Sequence, residues 1–146
     1  MFETGNNNTA GGVLAGVTVN GSSNAAFGDN AGRDVIGAAN VAIGLNAGRN
    51  VTAGHTIGIG TSARGTANYA VAIGYNAVAT KVRSVAIGQG SQAGVAGTVS
   101  VGSANIKRRI MNVAPGVAAN DAVTTPYPSQ AHAVRPSPPR SSQTGA

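Results

Sequence analysis

A short apolar phrase that ends in glycine recurs along the middle of the chain. It reads Val-Ala-Ile-Gly at residues 41–44, 71–74 and 85–88, and weaker copies end at three further glycines. The glycines of the six copies are Gly28, Gly44, Gly60, Gly74, Gly88 and Gly102, separated by 16, 16, 14, 14 and 14 residues. A fixed period of this kind predicts a stacked architecture, in which each unit covers its apolar face only against its neighbours.

Two bulky columns precede the glycines and predict one short strand per copy. The residues one and three positions before each glycine are mostly Val or Ile, so they share one face of an extended strand. The position between them is small in every copy, as at Ala42, Ala72 and Ala86. The glycine should end each strand at a bend, where a side chain would be strained. We expect the Val/Ile face to form the repeat core, through Val41, Ile43, Ile57, Ile59, Val71, Ile73, Val85, Ile87, Val99 and Val101.

The length of the repeat selects the fold class. Fourteen residues leave room for two short strands and two tight turns, but not for a helix, a strand and their loops. We therefore predict an all-β parallel solenoid of 14–16-residue coils. Equivalent columns should stack about 4.8 Å apart. The two extra residues of the longer copies should widen an outer turn without moving the stacked strands.

The chain divides into four segments by composition. Residues 1–23 are polar and irregular, with valines that are compatible with a degenerate first coil, and residues 24–105 are the repeats. Residues 106–124 break the pattern, and we interpret them as a separate closing segment. Residues 125–146 hold five of the six prolines, so we expect an extended, disordered tail.

Composition limits the chemistry of the chain and favours association. Only 3% of the residues are aromatic and 10% are charged, whereas glycine occurs 22 times, so an isolated stack would have a thin core. Association that covers one face would compensate for that thin core. Cysteine is absent, which excludes disulfides and thiolate metal sites.

The net charge of +6 is unevenly spread. Five of the ten cations, but one of the four acids, follow residue 106. One interpretation is nucleic-acid or anionic-surface binding through Lys107, Arg108 and Arg109. Three consecutive cations are a weak signal, and no aromatic residues are interleaved to stack on bases. We therefore favour a lightly charged solenoid with a basic trailing segment and predict no specific nucleic-acid partner.

The repeat and the segment after it resemble the head and neck of YadA-like trimeric autotransporter adhesins. The head pattern of that family is a run such as Ser-Val-Ala-Ile-Gly followed by small residues, and residues 84–88 reproduce it letter for letter. The neck resemblance follows residues 99–103 and covers Arg108, Ile110, Asn112, Val113, Gly116 and Asp121. Lys107, Arg109 and Pro115 depart from the usual neck pattern.

The resemblance implies a left-handed parallel β-roll, a homotrimer, and adhesion to host cell surfaces or extracellular matrix from the bacterial outer membrane, as a virulence factor. The residues alone leave open whether the Val/Ile face or the Ala/Gly face forms the subunit contact. The coiled-coil stalk of the family does not follow residue 124, because Pro126 and Pro128 block a helix. The sequence also shows neither a signal peptide nor a membrane anchor, so we expect a head fragment or a truncated or frame-shifted product of such a protein.

Candidate catalytic chemistry is scarce. Asp29 and Asp34 stand on predicted turns with no second carboxylate column opposite them, so an acid–base pair is not expected. His55 shares a column with Tyr69 and Arg83, and we expect an exposed turn histidine there. A metal site on a threefold axis would require that column to face the axis. We predict no catalytic residues, no cofactor and no metal, and therefore not an enzyme.

The variable positions of the repeat are the candidate ligand contacts. They are Leu45, Tyr69, Tyr75 and Gln89, with Arg33, Arg49 and Arg64 on the turns. We expect a non-enzymatic adhesin head that binds through this outer surface, since exposed tyrosines often anchor interfaces. The alternative is a structural spacer of a trimeric surface or phage fibre, with binding done elsewhere. An ice-binding solenoid would need a flat threonine array, which the mixed column of Asn24, Asn40 and Ala70 does not supply.

Overall fold

Ten short strands form the secondary structure, and no helix occurs among the described residues. The computed structural model describes residues 4–122 and residue 124. The predicted disordered tail, residues 125–146, lies outside the described residues. The chain falls into two compact units, the first ending at Arg108 and the second beginning at Arg109. The strands are β1 (Thr9–Gly11), β2 (Ala25–Phe27), β3 (Val41–Ile43), β4 (Ile57–Ile59), β5 (Arg64–Gly65), β6 (Val71–Ile73), β7 (Val78–Ala79), β8 (Val85–Ile87), β9 (Gln92–Ala93) and β10 (Val99–Ser100).

Parallel pairing stacks these strands in two sheets. The larger sheet has seven strands in the order β1-β2-β3-β4-β6-β8-β10, and the smaller has three in the order β5-β7-β9. Equivalent columns pair in register, so that Val41 is opposite Ile57 and Ile57 is opposite Val71. Each repeat is therefore one coil of a parallel β-solenoid, which confirms the predicted fold class.

The interior of the coils is lined by the small column and not by the Val/Ile face. Ala42, Ala72 and Ala86 are buried, as are Ala47 and Ala77 on the opposite wall. The prediction that the bulky columns form the core is wrong for the single chain. None of these ten residues is buried: Val41, Ile43, Ile57, Ile59, Val71, Ile73, Val85, Ile87, Val99 and Val101.

The width of the coil explains why Val and Ile face outward. A Cβ added at Gly58 would lie 2.6 Å from the carbonyl oxygen of Ala63, and one added at Gly48 would lie 2.8 Å from the Cβ of Ala42. Both distances are shorter than packed atoms tolerate, so methyl groups already fill the space between the walls. Larger side chains must point away from the interior, and Ile73 exposes 38% of its surface in the single chain.

Glycine is required at the corners that follow β2, β3, β4 and β6. Gly28, Gly44, Gly60 and Gly74 have φ between 116° and 127°, a region that favours glycine. A Cβ at any of these four would lie 2.6 to 2.9 Å from a backbone atom of the next corner glycine. The bend predicted from the sequence is confirmed, and the close approach of successive coils adds a second reason for it.

The 16-residue coils have a different interior from the 14-residue coils. Their extra residues bring in a column of buried valines, Val19, Val35 and Val51, whereas the shorter coils bury Ala79 and Ala93 in β7 and β9. The stacked strands stay in register across the change of length, as predicted. The extra residues reach the interior, however, and therefore do more than widen an outer turn.

A buried asparagine ladder accompanies the valines in the longer coils. Asn24 and Asn40 are 7% and 5% exposed. Asn24 Oδ1 accepts a hydrogen bond from the N–H of Asn40 (3.0 Å), and Asn40 Oδ1 accepts from the N–H (2.9 Å) and the hydroxyl (2.8 Å) of Thr56. The side-chain amides of Asn24 and Asn40 also donate to the carbonyls of Gly37 and Ala53. Hydrogen bonds thus satisfy each step of the ladder, as the burial of polar groups requires.

The ladder ends where the coils become shorter. Ser84 occupies the same column, and its hydroxyl donates to the carbonyl of Lys81 in its own turn (2.6 Å). The hydroxyl of Thr98 likewise donates to the carbonyl of Val95 (2.8 Å). Polar side chains in this column therefore bond across coils when the period is 16 residues and within a coil when it is 14.

The segments on either side of the repeats differ in how they fold. At the N-terminal side, β1 pairs in register with β2. At the other side, the first unit continues to Arg108, past residue 105, where the repeats were predicted to end. In the second unit, Asp121 accepts from the N–H groups of Ala118 (2.9 Å) and Val117 (2.8 Å), and these bonds hold the pKa of its carboxyl below the usual value.

Replacing Asn40 with alanine should destabilise the solenoid by about 2–3 kcal/mol, because Thr56 and Ala53 lose their partners inside the coil. Asn68→Ala is the control, since exposed Asn68 accepts one hydrogen bond, from the N–H of Gly54, whose loss should cost about 0.5–1 kcal/mol. Urea unfolding followed by circular dichroism measures both variants. Equal costs would contradict the structural role of the ladder.

Candidate ligand-contact surface

No cluster of metal ligands is present in the part of the chain that the structure describes. Between residues 4 and 122, no three His, Cys, Asp or Glu side chains come together. No helix long and apolar enough to span a membrane occurs in this range either. Asp29 and Asp34 lie on turns, where they contact the neighbouring Asn30 and Arg33.

The residue after each corner glycine faces solvent. Leu45 and Tyr75 expose 45% and 54% of their surface, and Gln89 is exposed as well. The next residue, Asn46 or Asn76, has a left-handed backbone that turns the chain back toward the interior. Leu45, Tyr75 and Gln89 are therefore presented outward at a bend, as their variability in the sequence predicts.

Tyr69 belongs to a stack of side chains from three consecutive coils. Its ring centroid lies 4.9 Å from that of His55, with 27° between the ring planes. The guanidinium carbon of Arg83 lies 5.9 Å from the Tyr69 centroid. Because the three residues hold the same place in successive coils, the spacing of the coils brings them together. We call His55, Tyr69 and Arg83 the aromatic ladder.

The aromatic ladder occupies backbone positions that suit glycine. His55, Tyr69 and Arg83 have φ of 59°, 62° and 57°, and Gly97 holds the same place in the last coil. A non-glycine residue in this left-handed region is strained by about 1–2 kcal/mol. Ala39 at φ 57° shows that a small side chain is accepted there. His55, Tyr69 and Arg83 are large, exposed and adjacent in successive coils, and this makes the aromatic ladder a candidate contact surface.

Two members of the aromatic ladder are absent from the contacts predicted by sequence. The variable positions include Tyr69 but neither its neighbour His55 nor Arg83. The signal is present in the sequence, because all three fall in one column when the repeats are aligned on their glycines. The distance between their side chains becomes known only from the coil spacing.

The three arginines predicted as contacts have different surroundings. Arg33 Nε lies 3.4 Å from Asp34 Oδ2. Arg49 stands at the same place one coil later, but Asn50 follows it instead of an acid. Arg49 and Arg64 line a common open groove of about 440 Å³. Arg33 thus has a carboxylate beside it, whereas Arg49 and Arg64 line the groove.

Arg108 closes the last coil. Its guanidinium donates to the hydroxyl of Ser91 (3.1 Å) and to the carbonyls of Val101 (2.6 Å) and Gln89. A Cβ at Gly88 would meet the guanidinium carbon of Arg108 at 3.2 Å, whereas at earlier corners it would meet the next glycine. Arg108 therefore occupies the place that a further coil would take.

The basic cluster and the neck-like residues divide between the two units. Lys107 Nζ donates to the carbonyl of Ser103 (3.1 Å), so both Lys107 and Arg108 bond within the first unit. These bonds favour a structural role for them over nucleic-acid binding. The remaining neck-like positions lie in the second unit, where the described residues are exposed and form no strand: Ile110, Asn112, Val113, Gly116 and Asp121.

Comparison with known proteins agrees with this architecture. Residues 52–77, 66–91 and 79–104 match the sequence family described as the YadA head domain repeat. The crystal structure of the collagen-binding domain of the Yersinia adhesin YadA is similar to this chain, with a TM-score of 0.54 and 24% sequence identity, covering 80% of this chain and 70% of that chain. No curated protein matches the chain.

These findings define the fold of the coils and the family of the matched repeats. The stacked coils have the β-roll fold of an adhesin head. More particularly, residues 52–104 match the YadA head repeat, and the fold is similar to that of the YadA collagen-binding domain. The matched residues end before Arg108, so the neck assignment stays a prediction from the sequence.

Arg108→Ala should lower the free energy of unfolding of the first unit by about 2–4 kcal/mol, because three acceptors at the end of the stack lose a charged donor. Arg109→Ala makes the same chemical change at an exposed neighbour and should stay within about 0.5 kcal/mol. Differential scanning calorimetry compares the two variants. A closing role for Arg108 is rejected if both variants melt at the temperature of the unchanged chain.

Proposed function

We propose that the chain is the head of a bacterial surface adhesin without enzymatic activity, and that it binds host extracellular matrix or cell-surface protein through the outer face of a homotrimer. The observation that carries the proposal is that the small motif residues build the interior while variable residues stand exposed at the corners. The YadA head repeats and the YadA head fold support an adhesive role. The solved relative is described as a collagen-binding domain, so a fibrous matrix protein is the first partner to test.

The Val/Ile face supports assembly and is the candidate subunit contact. Phe27, Ile43, Ile73 and Ile87 each expose between 38% and 46% of their surface. A continuous apolar strip of this kind is unusual on a soluble monomer and marks an interaction surface. Because the Ala/Gly face is enclosed within each coil, the Val/Ile face is the one that remains for contact between chains. Three chains packed through it would cover the strip.

The variable corners supply the candidate contacts with a host protein. Leu45, Tyr75 and Gln89 lie after corner glycines, and Tyr69 lies in the aromatic ladder. The stack holds the ring of Tyr69 before any ligand arrives, which reduces the entropy lost on binding. A trimer presents each contact three times, so weak individual contacts would combine through avidity.

Light scattering on the full chain tests the assembly and should give three times the mass of one chain. Ile73→Ser should shift the population toward the monomer, because it places a hydroxyl in the apolar contact between chains. Val82→Ser is the matched control, since Val82 is 47% exposed on a turn outside that face. A cooperatively folding monomer of the unchanged chain would contradict the proposed trimer.

Binding to immobilised collagen and fibronectin tests the adhesive function. Tyr69→Ala combined with Tyr75→Ala should weaken binding by at least about tenfold, because aromatic anchors dominate most interfaces. The same variant should change the free energy of unfolding by no more than about 1.5 kcal/mol, the size of one ring stack. Lys107→Ala with Arg109→Ala is the control, and a large effect there with steep salt dependence would favour binding through the basic segment. A folded trimer that binds no matrix component would favour the spacer function.

A further inference from the structure

Two nearly identical turns differ in one charged residue. Residues 28–35 read Gly-Asp-Asn-Ala-Gly-Arg-Asp-Val, and residues 44–51 read Gly-Leu-Asn-Ala-Gly-Arg-Asn-Val. Asp34 and Asn50 hold the same place, with φ of 58° and 56°. In the first turn, Asp34 Oδ2 lies 3.4 Å from Arg33 Nε. In the second turn the neighbour of Arg49 is a neutral amide, so Arg49 lacks the carboxylate that its counterpart has.

The Nε atom of Arg49 is left without an acceptor. Its Nε is buried and has no hydrogen-bond partner among the described residues. The same atom of Arg33 also makes no hydrogen bond, but it has the charge of Asp34 beside it. A buried donor without an acceptor is unfavourable, and the penalty is larger for a charged group. An anion from outside the chain that pairs with the Arg49 guanidinium would offset this penalty, because it would compensate the charge of the group.

A second cation lines the same space. Arg49 and Arg64 share the open groove of about 440 Å³ with Asn46, Asn50, Ser62 and Asn76. Asn46, Ser62 and Asn76 hold one column in three successive coils, so their polar groups repeat about every 4.8 Å along the groove. Val78 is the one apolar residue in the lining. None of these residues belongs to the Val/Ile face.

The charge around the groove favours an anion. From residue 35 to residue 120 the sequence has seven Lys or Arg residues and no Asp or Glu. Asp34 lies one coil before Asn50 in the stack, but it has Arg33 beside it at 3.4 Å. The field around the groove therefore stays positive and favours the approach of an anion.

We propose that the groove binds an acidic saccharide, whose carboxylate or sulfate pairs with Arg49 and Arg64 while its hydroxyl groups bond to the Asn and Ser side chains. Guanidinium groups form short, charge-assisted hydrogen bonds with such anions. The polar lining fits a sugar better than a protein segment, because protein interfaces rely on apolar and aromatic anchors at their centre. This proposal deepens the adhesive function and rests on it, since it names a ligand class for the same outer surface.

Isothermal titration of the full chain at physiological salt tests the ligand class. The probes are a heparin-derived tetrasaccharide, a hyaluronan tetrasaccharide, neutral chitotetraose and a glutamate-rich peptide. At least one acidic tetrasaccharide should bind, and chitotetraose should not. Preference for the heparin fragment identifies the sulfate as the anchoring group, and preference for the hyaluronan fragment identifies the carboxylate. Tighter binding of the peptide, or no binding of either acidic saccharide, overturns the proposal.

Asn50→Asp is the decisive variant. It places an internal carboxylate beside Arg49 in the backbone conformation that Asp34 already adopts, so it should weaken saccharide binding by at least about tenfold. Arg49→Ala and Arg64→Ala should weaken binding to a similar extent. Asn68→Asp and Lys81→Ala make the same charge changes outside the groove and should alter affinity by less than about twofold.

Equal losses for Asn50→Asp and Asn68→Asp would show that net charge drives the binding, and would overturn the site. The matrix-protein assay is read separately from the saccharide titration. If the paired tyrosine variant and the unchanged chain both fail to bind matrix protein while the saccharide still binds, the proposed protein partner is wrong and the groove stands. If matrix protein binds and no acidic saccharide does, the groove is wrong and the adhesive function stands.

Discussion

The close approach of successive coils at the corner glycines is the constraint on which the rest of the structure depends. The chain returns to the same corner once per coil, and a Cβ at Gly44 or Gly60 would lie within 2.9 Å of the next coil's backbone. The same tight winding leaves an interior that methyl groups fill, so alanine and glycine line both walls. A coil of this width can vary in length only by changing what it encloses, as the valines and the asparagine ladder of the longer coils show.

An interior of alanine changes where the stability of the chain comes from. Apolar burial stabilises in proportion to area, at about 25 cal/mol per Å², and a buried methyl group contributes little of it. The side chains that would contribute most, such as Ile43 and Ile87, stand on the outside of the single chain. The backbone bonds between coils and the buried asparagine ladder must therefore carry much of the stability of the single chain. In the proposed trimer, the covering of the outer face would link folding to association.

The sequence pattern predicts well which residues stack in columns, but it predicts poorly which face of each strand points into the coil. Stacking repeats each environment, so the positions of six of the seven strands in the larger sheet and the bend at Gly44 could be inferred from the period, whereas β1 lies in a segment that the sequence showed as irregular. A strand with two apolar faces has no polar side to mark the outside. Hydrophobicity alone favours Ile73 as the buried residue, whereas the width of the coil leaves room only for Ala72 in the interior. The same limit applies to the candidate ligand contacts. Exposure of Tyr75 could be inferred from variability, whereas the groove needs Arg64 to arrive from the coil after Arg49, which only the three-dimensional stacking provides.

Because Arg108 closes the last coil, the way in which the stack ends does not depend on the number of its coils. Each internal coil presents the same row of backbone donors and acceptors to its neighbour, so the stack has no inherent last member, and an uncovered edge would recruit further strands from other molecules. One guanidinium bonded to Val101, Gln89 and Ser91 covers part of that edge. Duplication or deletion of a central coil would leave this terminator and its partners in the final coil unchanged. The length of the stack can therefore change during evolution in steps of about 4.8 Å while Arg108 continues to close the last coil.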